Sequence, residues 1–559
     1  MISKPWKALL FVILAVFTTA LAAQPNPDWL WARVTGGGPC LAISAELVRD
    51  ESGNIYVCGD FIGSLGFGTI NLVSNGEEDI FIVKLSPTGD WLWAKRAGGS
   101  GQDVAEHLCM DAAGNLYMTG FFSGDAYFGG NTFTSNGGTD IFVSKLDPAG
   151  NWLWTKTAGG AGDDEGVGIC AGSGAYLHVV GNFYSQQLLI GNATLGNAGD
   201  SDIFYARISS NGGWSRARRA GGPHKDSANA VCVDSYGNPC VVGEFLGTTS
   251  FGEYPLTSAG SSDIFVARLD VNSGEWLLPH KGGFDYIGNA HCVTPSQGGT
   301  LFVGGWLNNM LSLSADAFVG KIDLNGNWIW FSTSVGSGAA STYCLASDAC
   351  GNCYAGIRFR GTESLGGNTF CVNNTDKYNF VAAKLDPCGN WLWARAAGGN
   401  SLWNNCTGIV IDGEGNSYVC GRFSGTLEMA GQTLVSSYTD VLVAKLSATT
   451  IPLPPQNLTL STLGNNLCLS WNPVNANTCG EPIIPDFYCV YYNPDSPYGP
   501  FTPLTLVLGT SYYHYGAAQN RQGFYQVRAV VLNNRQREDL ESGRLVFEGI
   551  KVTKPNVRQ

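Results

Sequence analysis

Apolar and polar positions alternate with period two through most of the chain, in short stretches broken by Gly, Asn and Asp. Ile80, Ile82 and Lys84 share one parity, and Phe81, Val83 and Leu85 the other. That is the pattern of a strand with apolar residues on both faces. Trp91 and Trp93 stand two apart, a spacing that puts both indoles on the same face of a strand. Turn signals separate the stretches. Asp111-Ala112-Ala113-Gly114-Asn115 has counterparts beginning at Asp50, Asp234, Asp348 and Asp412. The Asp supplies a side-chain acceptor and Gly-Asn tolerates positive φ, so the segment predicts a hairpin.

These elements recur. A Trp segment, clearest in Trp91-Leu92-Trp93-Ala94, opens at Trp29, Trp91, Trp152, Trp214, Trp276, Trp328 and Trp391, at steps of 62, 61, 62, 62, 52 and 63 residues. Between successive Trp segments the order is constant. A short apolar segment leads to the Asp-x-x-Gly-Asn turn. Then come Tyr-Val-x-Gly-x-Phe, as in Tyr56–Phe61, a Gly-rich connection, and Asp-Ile-Phe-Val-x-Lys-Leu. The seven copies of this last segment begin at Asp79, Asp140, Asp202, Asp263, Asp316, Asn379 and Asp440. A fixed period of this size predicts a stacked repeat architecture. Four strands per unit make one small antiparallel sheet, and such sheets bury their faces by radial stacking. The chain opens on a Trp segment and its seventh unit has none. Pairing residues 28–35 with Asp440–Leu446 would therefore close the ring and remove an open edge. The fifth unit is shorter, trimmed between Trp306 and Ser314.

Repeats of the form Gly-Asn-x-Tyr-Val-x-Gly and Asp-Ile-Phe-Val-x-Lys-Leu, with a Trp segment ending in Gly-Gly, resemble the bacterial β-propeller repeat known as SBBP. The resemblance covers roughly residues 28–446. It implies an exported bacterial propeller and brings no catalytic motif. The units depart from the pattern at Gly172-Ser173-Gly174-Ala175 and Pro295-Ser296-Gln297-Gly298-Gly299. Beyond a stiff linker, Ile451-Pro452-Leu453-Pro454-Pro455, the repeat disappears. Leu469-Ser470-Trp471, Tyr488–Tyr492 and Tyr525-x-Val527-x-Ala529 resemble a fibronectin type III sandwich over 451–550. The expected fold is all-β, a seven-bladed β-propeller followed by a β-sandwich.

Composition adds the setting. The chain of 559 residues has 44% hydrophobic, 12% aromatic and 14% charged residues, with 75 Gly, a globular balance rich in turns. A net charge of −13 repels phosphate backbones and argues against nucleic acid as a partner. Lys4 and Lys7, the apolar run Ala8–Phe17 and Ala20-Leu21-Ala22 read as a signal peptide over residues 1–23. No later stretch approaches the ~20 apolar residues of a spanning helix. The expected location is therefore secreted or cell-surface. Seventeen Cys, an odd number, leave at least one thiol unpaired within the chain.

Candidate chemistry is sparse. The seven Trp read as packing between sheets rather than sugar platforms, because a binding site rarely needs such symmetry. The Asp-x-x-Gly-Asn turns lack the oxygen density of calcium loops. The recurring basic residues at 84, 145, 207, 268, 321, 384 and 445 could form a charged ring or pair with the repeated Asp. Cys109, Cys170, Cys232 and Cys292 fall in one row and read as a small apolar site, with His107 and His291 near it. Cys232 and Cys240 flank one turn. Cys350 and Cys388 occupy two turns of the sixth unit that should lie at one end of the sheet, and form the candidate disulfide. No cofactor, metal or catalytic residue is indicated. Breaks in the repeat read as few and scattered. The function expected is non-catalytic: binding an unidentified protein or glycan, adhesion or surface scaffolding. A secreted carbohydrate-active enzyme working from the propeller face is the alternative.

Overall fold

The computed structural model describes residues 27–448 apart from 173, 260, 283–285, 310–314, 373–376 and 400–403, and beyond 448 the strands named below. The signal-peptide segment, the linker at 451–455 and the trimmed part of the fifth connection lie outside the described residues. Among the described residues every regular element is a strand. Residues 25–448 form one compact unit, and the strands beyond 449 belong to another.

In the larger unit each repeat folds as four antiparallel strands in chain order. The first runs Gly36–Arg49, Ile55–Phe67, Asp79–Leu85 and Trp91–Gly99. The same order recurs in the following repeats. The last set, Asn405–Ile411, Ser417–Met429 and Gln432–Leu446, takes its fourth strand from the opposite end of the unit. Trp29–Val34 pairs with it, Trp31 opposite Lys445 and Val34 opposite Leu442. The first strand of each repeat packs beside that of the next, and Asn405–Ile411 packs beside Gly36–Arg49. The first strands therefore form a closed ring, and the architecture is a β-propeller-like repeat.

The hairpin turns are built as their residues predict. Asp111 Oδ1 accepts from the backbone N–H of Ala113 and Asn115, both at 2.9 Å, and Gly114 holds φ 78°. Asp111 Oδ2 accepts from Asn115 Nδ2 and the Tyr117 hydroxyl, each at 2.9 Å. Tyr56, Tyr354 and Tyr418 donate likewise to Asp50, Asp348 and Asp412, at 3.1, 3.2 and 3.2 Å. The recurring basic residues pair with these Asp in four repeats: Lys84–Asp50 3.9 Å, Arg268–Asp234 3.2 Å, Lys384–Asp348 3.3 Å and Lys445–Asp412 3.4 Å. Lys145, Arg207 and Lys321 lie over Tyr117, Tyr176 and Phe302, 5.1, 4.4 and 5.3 Å from the ring centroids. They are local partners of the turn end, not a ring of charge.

The Trp pairs differ from the alternation rule. Trp91 packs with Phe61, Phe81 and Val443, whereas Trp93 packs with Tyr56, Met118 and Phe142, on the other face of the sheet. The cause is a β-bulge. Trp91 lies opposite Leu85 and Trp93 opposite Lys84, so Leu92 is an extra residue that reverses the parity. The same irregularity stands between Trp29 and Trp31, Trp152 and Trp154, Trp214 and Arg216, Trp328 and Trp330, and Trp391 and Trp393. The extra residue is pushed outward at Leu92, Leu153 and Ile329, 49%, 51% and 53% exposed, whereas Leu392 is buried in a core cluster. Each of the seven Trp that open a segment joins a different core cluster. In five of these clusters it meets the second Trp of a neighbouring repeat, as Trp152 meets Trp93 and Trp29 meets Trp393.

In the other unit Thr459–Leu463, Asn466–Ser470 and Ser511–His514 form one three-stranded antiparallel sheet. Phe487–Asn493 pairs with Thr502–Val507 and Phe524–Val530 in a second. Val546–Phe547 and Ile550–Lys551 make a short hairpin.

Two outcomes follow from the closure and the bulge. Deleting residues 24–36 exposes the edge of Gln432–Leu446 and removes Trp29 from its contact with Phe380. It should lower the melting temperature far more than deleting 451–559, and equal losses in a thermal melt would contradict this. Deleting Leu92 alone should cost about 3–5 kcal/mol, as for loss of a large core side chain, although Leu92 itself is half exposed. Denaturant titration reads the difference.

Candidate functional site: a ring of unlike side chains on the first two strands

Every first strand carries its own β-bulge. The register shifts between Ser44 and Glu46, Ala105 and His107, Gly166 and Gly168, Ala228 and Ala230, Ala290 and Cys292, Thr342 and Cys344, and Cys406 and Gly408. The extra residues are Ala45, Glu106, Val167, Asn229, His291, Tyr343 and Thr407, no two alike. Just beyond the bulge the second strand places Asp60, Phe121, Asn182, Glu244, Trp306, Arg358 and Arg422 at one register position. The flanking Phe61, Phe122, Phe183, Phe245, Phe359 and Phe423 are all core residues. The repeat is thus strict in its core and varied at one ring of positions.

The ring is chemically uneven. Glu106 lies close enough to Asp60, and Glu165 to Glu106, to oppose ionisation. Burial, then Glu106 and Glu78, push the Asp60 carboxyl up to about 8, against the pull of Arg422. Burial, then Glu165, raises Glu106 to about 7. Glu106 presents area to solvent, but neighbouring atoms still limit its hydration. Asn182 serves packing: its amide joins Ala228 N–H at 2.8 Å and Ala228 O at 3.2 Å in the next repeat. Asn229 Nδ2 donates to Asn289 Oδ1 at 2.5 Å, and Ser341 Oγ lies 3.1 Å from His291 Nδ1. Arg358 donates to the Tyr343 hydroxyl at 3.5 Å and lies 3.6 Å over the Tyr378 ring. Burial and the charge of Arg358 both work against the proton on Arg422.

His107 Nε2 lies 3.6 Å from Glu46 Oε2 of the preceding repeat. Burial lowers His107 and His291 to about 4 and raises Glu46 to about 8, so neither imidazole carries charge at neutral pH. The Cys row lies between sheets. Cys109 and Cys170 pack against core clusters and Cys232 belongs to one. Cys292 Sγ donates to Gly304 O at 3.6 Å. Cys232 and Cys240 are register partners across one hairpin, and both are free thiols. The expected Cys350–Cys388 bridge is not formed: Cys388 is a free, exposed thiol and Cys350 is disulfide-bonded elsewhere. Cys350 N–H is held by Asp348, and Cys388 N–H by Asp386. Each Cys therefore belongs to its own closed turn, and sharing one end of a sheet does not aim the sulfurs at each other.

Beside the ring, buried carboxylates meet in pairs where one repeat passes to the next. A Cβ on Gly98 would fall 2.6 Å from Asp79 Oδ1 and 2.9 Å from Asp103 Oδ2, so only glycine fits between them. Asp140 with Asp164, and Asp202 with Asp226, repeat the arrangement at the next two junctions, each raising its neighbour. Burial, the largest cause, raises Asp103 to about 7 and Asp140 and Asp226 to about 6. Among the described residues no group of three or more His, Cys, Asp or Glu is arranged to hold a metal ion. No helix among them is long and apolar enough to cross a membrane.

No family model matches the chain. The regulatory protein FlaEY of Caulobacter vibrioides is 23% identical over 506 residues, covering 76% of this chain and 51% of that protein. An uncharacterized WD repeat-containing protein of Acanthamoeba polyphaga mimivirus is 28% identical over 122 residues, covering 21% of this chain and 9% of that protein. The chain thus spans about half of the first relative and a small part of the second. A protein of unknown function from Dyadobacter fermentans has a TM-score of 0.36 at 11% identity, covering 76% of this chain and 98% of that one. A catalytically inactive virginiamycin B lyase from Staphylococcus aureus, with quinupristin, has a TM-score of 0.35 at 10% identity, covering 74% and 99%. None of these likenesses carries an activity over to this chain.

Stability should fall as pH rises. Asp60, Glu46, Glu106, Asp103, Glu363, Asp140 and Asp226 keep protons to between about 6 and about 8 when folded. Unfolded, they lose them near 4. Between those values the native state binds more protons, so raising the pH destabilises it. His107, His178 and His291, lowered to about 4, act in the opposite direction below about 6.5 but are fewer. Melting should occur at a higher temperature at pH 5 than at pH 8, with a smaller difference in Asp103→Asn. A higher melting temperature at pH 8 would contradict the assignment.

Proposed function

We propose that the chain is an exported, non-catalytic seven-bladed β-propeller over residues 28–446, followed by a fibronectin type III-like β-sandwich over 451–550, and that it binds a glycan or protein ligand through the ring at Asp60, Trp306, Arg358 and Arg422. The closed ring of first strands and the terminal strand exchange support seven blades. The two three-stranded sheets beyond residue 459, pairing first with second strand and third with fourth and sixth, suit the sandwich. The SBBP-like repeat and the basic and apolar N-terminal segment support export and a role in adhesion or surface scaffolding.

One observation carries the binding reading. The repeats carry Phe or Leu at the core position of the second strand and differ at the register position beside it, where Trp306, Arg358 and Arg422 are half-buried. Scaffolding alone would leave that position as uniform as the Phe beside it.

The purified protein should retain ligand in a screen of glycans and surface proteins without converting it. Arg422→Gln and Trp306→Ala should each weaken retention at unchanged melting temperature. Product formation overturns the non-catalytic reading, and retention that ignores both substitutions overturns the ring.

A further inference from the structure

Two guanidiniums and one indole stand in succession on the ring. Trp306, Arg358 and Arg422 occupy the same register position in the fifth, sixth and seventh repeats. Trp306 is half-buried and belongs to none of the seven core clusters, unlike the Trp of the outer strands. An indole on a rigid strand suits the apolar face of a sugar ring.

Arg358 is pre-set. Its guanidinium carbon lies 3.6 Å from the Tyr378 ring centroid, and the group donates to the Tyr343 hydroxyl at 3.5 Å. Arg422 is close enough that the two positive charges disfavour each other. Two adjacent guanidiniums with a phenol hydroxyl beside them match the geometry of a carboxylate, whose oxygens accept from both forks. Burial opposes the charge on Asp60, while Arg422 favours it. A neutral Asp60 can also donate a hydrogen bond to a hydroxyl or ether oxygen. Further round, the Asn229–Asn289 amide pair offers donors and acceptors of the kind that read sugar hydroxyls.

We infer that the ring binds a carboxylated saccharide, a uronic acid oligomer whose carboxylate sits between Arg358 and Arg422 and whose ring lies on Trp306. This rests on the ligand-binding reading above and names its ligand class. A peptide C-terminus would also present a carboxylate, but it would use neither the indole face nor the amides in a regular way.

The test is calorimetric titration of the full chain with three probes: tri-galacturonate, an alginate trimer and a hyaluronan tetrasaccharide. Methyl-esterified tri-galacturonate and a short peptide with a free C-terminus serve as controls. At least one uronate should bind. For tri-galacturonate, esterification should weaken binding by about tenfold or more, the loss of one charge-assisted contact. Arg358→Gln, Arg422→Gln and Trp306→Ala should each do the same for the bound uronate, with Arg422→Lys intermediate and all four variants melting like the parent chain. Failure of all three uronates overturns the inference, as does equal binding of the ester where tri-galacturonate binds, or binding of the peptide alone. If the peptide or the ester binds and Trp306→Ala or Arg422→Gln weakens it, the ring remains a binding site and only the ligand class is wrong. If a uronate binds but no ring substitution weakens it, the ring and the inference fall together. A variant that melts early is set aside in favour of Arg422→Lys, whose intermediate affinity is then the deciding reading.

Discussion

Two indoles leave five of the outer strands in opposite directions, and one inserted residue makes them do so. Without Leu92, Trp91 and Trp93 would crowd one side of their sheet and leave the other poorly filled. With it, the space between neighbouring sheets receives an indole from either side, as Trp93 and Trp152 share one cluster; Arg216 and Leu278 stand where two segments lack the second Trp. A sheet of four short strands cannot bury both faces alone, so its stability depends on the neighbours that these Trp reach. The dependence runs around the whole unit and ends where Trp29–Val34 completes the last sheet. There Trp29 meets Trp393 and Trp31 meets Trp91. The closing strand is therefore held by the same kind of indole pair as three other junctions.

Bulges recur on the inner strands with a different result. There the extra residue differs in every repeat: Glu106 is exposed, Val167 packs against a core cluster, and Asn229, His291 and Tyr343 have polar or ring partners. On the second strand the next residue is Phe in six repeats and Leu307 in the fifth, all buried, while the bulge residue and its neighbour on the second strand differ between repeats. A single irregularity thus separates the part of the repeat that must match its neighbours from the part that need not. Acidic groups gather on the early repeats and guanidiniums on the late ones, so the ring has sides. The buried carboxylate pairs beside it add raised proton affinities to the same end of the sheets.

The opposite end is built for closure of the chain. Asp, Asn, Tyr and Lys or Arg recur there as a hydrogen-bonded set, with the Asp accepting from backbone, amide and phenol. Burial opposes the charge on Asp50, but Asn54, Tyr56 and Lys84 together hold its carboxyl below the usual range. Every one of its acceptor oxygens is engaged locally. The recurring basic residue is a partner of this turn, and its regularity reflects structure.

Much of this was legible in the residues. Period-two alternation marked the strands, the 62-residue recurrence marked the units, and the spare Trp segment marked the closing strand. The Asp-x-x-Gly-Asn turns followed from local chemistry, because their hydrogen bonds lie within five residues. What alternation could not supply was the parity of the Trp pairs. A bulge is a property of two strands in register, and a single strand carries no sign of it. The same reason hid the ring: Asp60, Trp306, Arg358 and Arg422 look like unrelated departures until seven strands are aligned and closed on one axis. Reading down the x of Gly-x-Phe would have exposed the variation, but not that those positions meet. The expected Cys350–Cys388 pairing failed for a related reason. Shared placement at one end of a sheet is a topological fact, whereas a bridge depends on where two side chains point, and each of these turns orients its own. Local hydrogen bonds and periodicity are short-range and written along the chain. Facing, convergence and pairing are set only when distant strands pack.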